Sequence, residues 1–150
     1  MTKSEISFKI SQLERDISGA ENRRAEAEKN IRQLVVLSTC CNDYQTELES
    51  ARTIRKMRLE KFNEILGQAR LVGAYGGVME ELVNGSEYAN AYGSMDAAKA
   101  EISREIESQK QIINECSSQI AGFNSSISGW SQQLANADKE AGNAGYGVDY

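Results

Sequence analysis

Apolar residues in the second half of the chain recur at alternating spacings of four and three. Ile102, Ile106, Gln109, Ile113, Cys116, Ile120, Phe123, Ile127, Trp130, Leu134 and Ala137 form this series, with one polar member. That period keeps all of them on one face of a helix, as a seam that needs a second helix to cover it. The first half carries a matching stripe: Ile6, Ile10, Leu13, Ile17, Ala20, then Ala27, Ile31, Leu34, Leu37, Cys41, Tyr44, Leu48, Ala51 and Ile54. It weakens near Met57 and Arg58, then resumes with Phe62, Ile65 or Leu66, and Ala69. The mean spacing near ~3.5 residues is that of helices which supercoil to the left. Arg24 sits where Ile or Leu is expected, as a register device or a place where the seam opens.

Between the stripes the composition changes. Gly67, Gly73, Gly76, Gly77, Gly85 and Gly93 fall in one window, with Tyr75, Tyr88 and Tyr92 among them. Glycine inside a helix costs about 1 kcal/mol relative to alanine, so the long helix is expected to break there. The pattern predicts an all-α, coiled-coil-like antiparallel hairpin spanning 1–141, with a broken Gly/Tyr-rich tip. Helix 1 is expected over about 4–71, the tip over 72–93 and helix 2 over 94–141, with 142–150 a flexible tail. Thr2 or Ser4 is the expected cap of the first helix, with Glu5 at the positive end of its dipole. Within the tip, Val78–Val83 is expected as a short helix ended by Asn84-Gly85 in a left-handed cap. Ser86 or Ser94 is then expected to cap the second long helix, with Asp96 in its first turn.

A turn centred near Val78 places opposite each other residues whose numbers add to about 157. Leu37 then faces Ile120, Leu34 faces Phe123, Tyr44 faces Ile113, Cys41 faces Cys116, and Ala27 faces Trp130. Ile6, Ile10 and Leu13 project beyond the second helix in that register and are left for another chain. A turn nearer Val83 shifts the pairing by roughly a heptad and separates the cysteines. A hairpin of two helices is thin and short of core for its surface, so assembly with itself or with another helical protein is expected. The seam residues Ile6, Ile10, Leu13, Ile113, Ile120, Phe123 and Trp130 are the candidate partner-binding set.

Composition narrows the chemistry. Histidine is absent, which removes the usual general base near neutral pH and the commonest metal ligand. Proline is absent too, as suits uninterrupted helices. Three cysteines do not make a disulfide framework, and adjacent Cys40 and Cys41 diverge by ~100° on a helix, so no metal site is expected. Cys41 and Cys116 read as small apolar seam residues, with a cross-hairpin disulfide conditional on an oxidising destination. A net charge of −5 argues against nucleic acid, and the charged residues of the first helix intermix both signs as a solvated face does. The stretch from Arg52 to Lys61 is the most basic, and an acidic partner there is a third, lesser reading. No apolar stretch is long enough to span a bilayer, and the start of the chain does not read as a secretory signal. Carboxylate pairs such as Glu80-Glu81 and Glu101/Glu105 have no base or nucleophile to join them, and the glycines lack a phosphate-loop pattern. No enzyme activity and no cofactor are expected.

Tyr75-Gly76-Gly77 is an aromatic-x-Gly string at the break, and Tyr92-Gly93-Ser94-Met95-Asp96 is a YxxxD string. On these, and on the hairpin plan, the chain resembles the small helical-hairpin proteins of the Gram-positive type VII secretion system. These are the WXG-like family and the YwqH-like accessory partners of LXG toxins. Tyrosine stands where that family has tryptophan, and the YxxxD string opens the second helix where the family places it beyond. The resemblance implies a binding subunit, made in the cytoplasm and secreted without a cleaved signal, that packs on the helical domain of an effector. It also implies an export signal at Tyr75, Gly77, Tyr92 and Asp96. The alternative is a self-assembling coiled-coil adaptor or scaffold with no export role, in which Tyr92 and Asp96 only pack and cap.

Overall fold

The computed structural model describes residues 1–66, 77, 81, 83 and 85–145, without the side chains of 62, 63, 65, 66 and 143–145. Two long helices account for nearly all of them: α1, Lys3–Leu66, and α2, Ser86–Gly145. They pack against each other as an antiparallel helical hairpin, and no strand occurs among the described residues. The hairpin divides into two compact units, residues 1–31 with 107–150, and residues 32–106.

Each helix starts for a local reason. Thr2 and Glu5 form a reciprocal box: the Thr2 amide donates to the Glu5 carboxylate (2.7 Å), and the Glu5 amide donates to Thr2 Oγ1 (3.2 Å). Thr2 is therefore the cap, chosen over Ser4 because Glu5 stands three residues on. The bond from the Thr2 amide, then the Thr2 hydroxyl, holds the Glu5 carboxyl below its usual range. At α2 the Gly85 carbonyl accepts from Ala89, so Gly85 ends the approach to the helix. A Cβ at Gly85 would run into the Glu81 carbonyl. Close backbone approach selects glycine at this point; the backbone is not left-handed there, contrary to the expected cap. Helix α2 begins at Ser86, eight residues before the expected 94, so Tyr88, Tyr92 and Gly93 are helical. The described part of α1 runs to Leu66, and its expected end at 71 lies outside the described residues. Ala69, Asn84 and residues 146–150 lie outside the described residues. Of the short helix expected over 78–83, residues 81 and 83 are described, both helical, and α2 runs to Gly145, four residues into the expected tail.

In the unit formed by 1–31 and 107–150, the seam is apolar. Ile6, Ala20, Ala27 and Cys116 are buried, and Ile10, Leu13, Ile17, Ile113, Ile120, Phe123, Ile127, Trp130, Leu134 and Ala137 are half-buried. Four polar contacts fix the register: Lys3 with Asp138, Lys9 over the Trp130 ring (4.7 Å), Arg23 with Gln119 (3.0 Å) and Asn30 with Gln109 (3.3 Å). Facing numbers add to about 140, not the expected 157. Trp130 consequently stacks under Lys9 instead of facing Ala27, and Cys116 lies level with Arg24. Arg24 keeps its seam position, half-buried. A long side chain opposite a small cysteine can run its stem along the seam and carry its charge to the edge.

The unit formed by 32–106 has the same antiparallel sense with a different seam. Leu34, Ser38, Cys41, Gln45, Leu48 and Ala51 point inward from α1, with Gln45 the one buried polar side chain among the described residues. The expected seam members Leu37, Tyr44 and Ile54 lie outside it, 52%, 47% and 51% exposed. Strict heptad spacing runs 34, 38, 41, 45, 48, so it selects Ser38 and Gln45 over their more apolar neighbours. Register again settles near 140, since Asn42 pairs with Lys99 (3.0 Å) and Gln45 with Asp96 (2.8 Å). Cys41 thus does not face Cys116, and all three cysteines are free: Cys40 exposed, Cys41 half-buried, Cys116 buried.

Candidate partner-binding surface

The residues expected to bind a partner are used within the hairpin itself. Ile6 is 4% exposed, and the α2 helix reaches past it, as the Lys3–Asp138 ion pair shows. Ile6, Ile10 and Leu13 are therefore not an overhang; the shorter register gives them α2 to pack on. Ile113, Ile120, Phe123 and Trp130 are half-buried on the facing side of the same seam.

The YxxxD string is held by its own hairpin. Gln45 donates from Nε2 both to the Tyr92 carbonyl (3.1 Å) and to Asp96 Oδ1 (2.8 Å). Asp96 also meets Lys99 at 3.6 Å, and Lys99 donates to Asn42. The Tyr92 hydroxyl donates to Glu49 Oε1 at 2.8 Å, a bond that raises the pKa of this phenol because it is made by the protonated form. Tyr92 also lies 5.8 Å from the Tyr88 ring, which in turn sits under the Arg52 guanidinium (5.0 Å). Arg52 donates to the carbonyl of buried Val83, tying the approach to α2 back onto α1. Tyr92 and Asp96 thus share one helix face and a common set of partners on α1. Gly77 is exposed with open space around it, and Tyr75 lies outside the described residues.

Open apolar surface is concentrated on α1. Val35, Val36, Leu37, Tyr44, Ile54 and Met57 are 47–63% exposed in the 32–106 unit. The α2 helix shows only Ile112 at 36%, and the N-terminal turns add Met1 and Phe8. Val36, Cys40, Tyr44 and Ile54, all exposed, follow helical spacing, so they form a second face of α1 beside the seam. Leu34-Val35-Val36-Leu37 signals this in the sequence, because four consecutive apolar residues put apolar surface on every side of a helix. Assigning Leu37 and Tyr44 to the seam concealed it.

Among the described residues no cluster of His, Cys, Asp or Glu is arranged to hold a metal, and no helix is long and apolar enough to cross a membrane. Every buried side-chain polar atom described has a hydrogen-bond partner. Compared with family models, curated proteins and solved structures, the chain matches none.

Proposed function

We propose that this chain is a non-enzymatic binding subunit that associates with another helical chain through the outer face of α1. The observation that carries the reading is the cluster of Val36, Leu37, Tyr44 and Ile54 on one side of α1, left in water while the helix opposite exposes almost none. Large apolar residues grouped on one helix face mark an interaction surface, because their burial is worth roughly 25 cal/mol per Å². A helix-on-helix mode fits, since the face has helical spacing.

Within that reading, the narrower role is a partner or targeting factor of type VII secretion, packing on the helical domain of an effector. Its support is the sequence of the Tyr92–Asp96 string and the hairpin plan. The scaffold alternative is favoured by a different observation, the engagement of Tyr92 and Asp96 by Gln45 and Glu49, which gives both residues a packing role.

Size-exclusion chromatography with light scattering tests the reading, on the chain alone and with its co-purifying helical partner. A defined complex is expected, lost in the double variant Val36→Glu/Leu37→Glu while the helical circular dichroism is retained. A complex of unchanged mass in that variant would sink the proposal. For the export role, Asp96→Asn keeps an acceptor for Gln45 but removes the charge. Secretion reduced at unchanged melting temperature supports export; unchanged secretion leaves the scaffold.

A further inference from the structure

The outer face of α1 between Arg32 and Glu47 is self-complementary. Val36, Cys40 and Tyr44 form its apolar line, all exposed, with Leu37 on its flank. On one side of Cys40 stands exposed Arg32, on the other exposed Asp43 and Glu47. At ~1.5 Å rise per residue, Arg32 lies about 12 Å from Cys40 in one direction and Glu47 about 10 Å in the other.

We propose that this face pairs with the same face of a second copy, antiparallel, about a two-fold axis at Cys40. The inference rests on the reading of the α1 face as a binding surface and names its occupant. A two-fold axis there makes every contact occur twice. Val36 of one copy packs on Tyr44 of the other, and Cys40 meets Cys40. Arg32 comes level with Glu47 of the other copy, on the flank that also carries Asp43. A parallel pairing would instead stack Arg32 on Arg32 and Glu47 on Glu47, so charge selects the antiparallel arrangement. Four to five helical turns fall short of the ~1,600 Å² of a standard interface, so the dimer forms at high protein concentration.

The test uses the full chain with Cys41→Ser and Cys116→Ala, leaving Cys40 as its sole thiol. Diamide takes the two thiol hydrogens and becomes the corresponding hydrazine as one S–S bond forms between copies. Disulfide dimer is expected at least ten-fold faster than in a control with Cys40→Ser and Thr46→Cys. Sedimentation velocity on the unmodified chain supplies the independent readout. Arg32→Glu is expected to weaken self-association roughly five-fold, and Arg32→Glu/Glu47→Arg to restore it. A chain monomeric at every concentration, with Cys40 coupling no faster than the control, overturns the self-pairing. If Val36→Glu/Leu37→Glu then still releases a different helical partner, the binding-subunit reading survives alone. A dimer indifferent to both the charge changes and the Val36/Leu37 change overturns the two together.

Discussion

The two ends of the hairpin solve the same packing problem with opposite materials. In the 1–31/107–150 unit, Ala20 and Ala27 are small and closed off, and the large residues come from α2: Ile113, Ile120, Phe123, Trp130. Small against large brings two helices close without voids. In the 32–106 unit, Ser38 and Gln45 stand among the inward Leu34, Cys41, Leu48 and Ala51, and side-chain bonds through Asp96, Lys99, Asn42, Glu49 and Tyr92 add to the packing. Apolar surface has moved outward, to Val36, Leu37 and Tyr44. The difference runs along one helix: the first region closes mainly by apolar packing, and the second adds polar bonds at its seam and leaves an apolar face free.

Substitutions can break that contrast. The largest effect is expected from Ala20→Glu, which forces a carboxylate into a fully closed position; a loss of ~3 kcal/mol or more in urea unfolding is expected. Leu37→Glu, at an equally apolar position of the other region, should stay within about 0.5 kcal/mol. Equal losses at the two sites would remove the distinction. Next comes Gln45→Ala, expected to cost about 1–3 kcal/mol, since it empties a buried site and deletes two hydrogen bonds. Its signature is faster amide exchange over 86–99, with 107–137 unchanged. Gly93→Ala should act in the other direction, stabilising by about 0.5–1 kcal/mol, because a helical glycine with open space gains only from a methyl group.

Titration gives the finest effects, one in each region. Tyr92 is raised by its bond to Glu49, so its contribution is complete below the ordinary tyrosine range and disappears as pH climbs through the raised value. Tyr92→Phe should flatten the alkaline limb of the stability curve. Glu5 is lowered by Thr2, so its contribution is present above the ordinary carboxylate range and is lost as pH falls through the lowered value. Thr2→Ala should flatten the acid limb without touching the alkaline one. Melting temperatures followed across pH would reveal either exchange of roles.

Hairpin architecture was legible because period decides it: every member of the α2 stripe from Ile102 to Ala137 is buried or half-buried. On α1 the same reading held from Ile6 to Leu34 and then drifted. At 37 and 44 it followed hydrophobicity, whereas geometry follows spacing, and the seam passed to Ser38 and Gln45. Register was lost for a related reason. A turn position inferred from glycine content carries no information about which layers meet, and contacts such as Lys9 with Trp130 depend on side chains far apart in sequence. The candidate site went with the register, since the supposed overhang at Ile6 vanishes once α2 reaches it. What sequence alone could have offered was the Leu34–Leu37 run, too apolar for a helix with one buried side.

The three thiols form a graded clock. Cys40 stands in water, Cys41 is half-covered in one region, and Cys116 is shut inside the other. A thiol reagent in excess should therefore label the chain in three phases. The first measures only reagent chemistry, and the second the breathing of the polar-seamed region. The last advances only when the alanine-lined region opens, so one mass spectrum taken over time reads the looseness of each end separately.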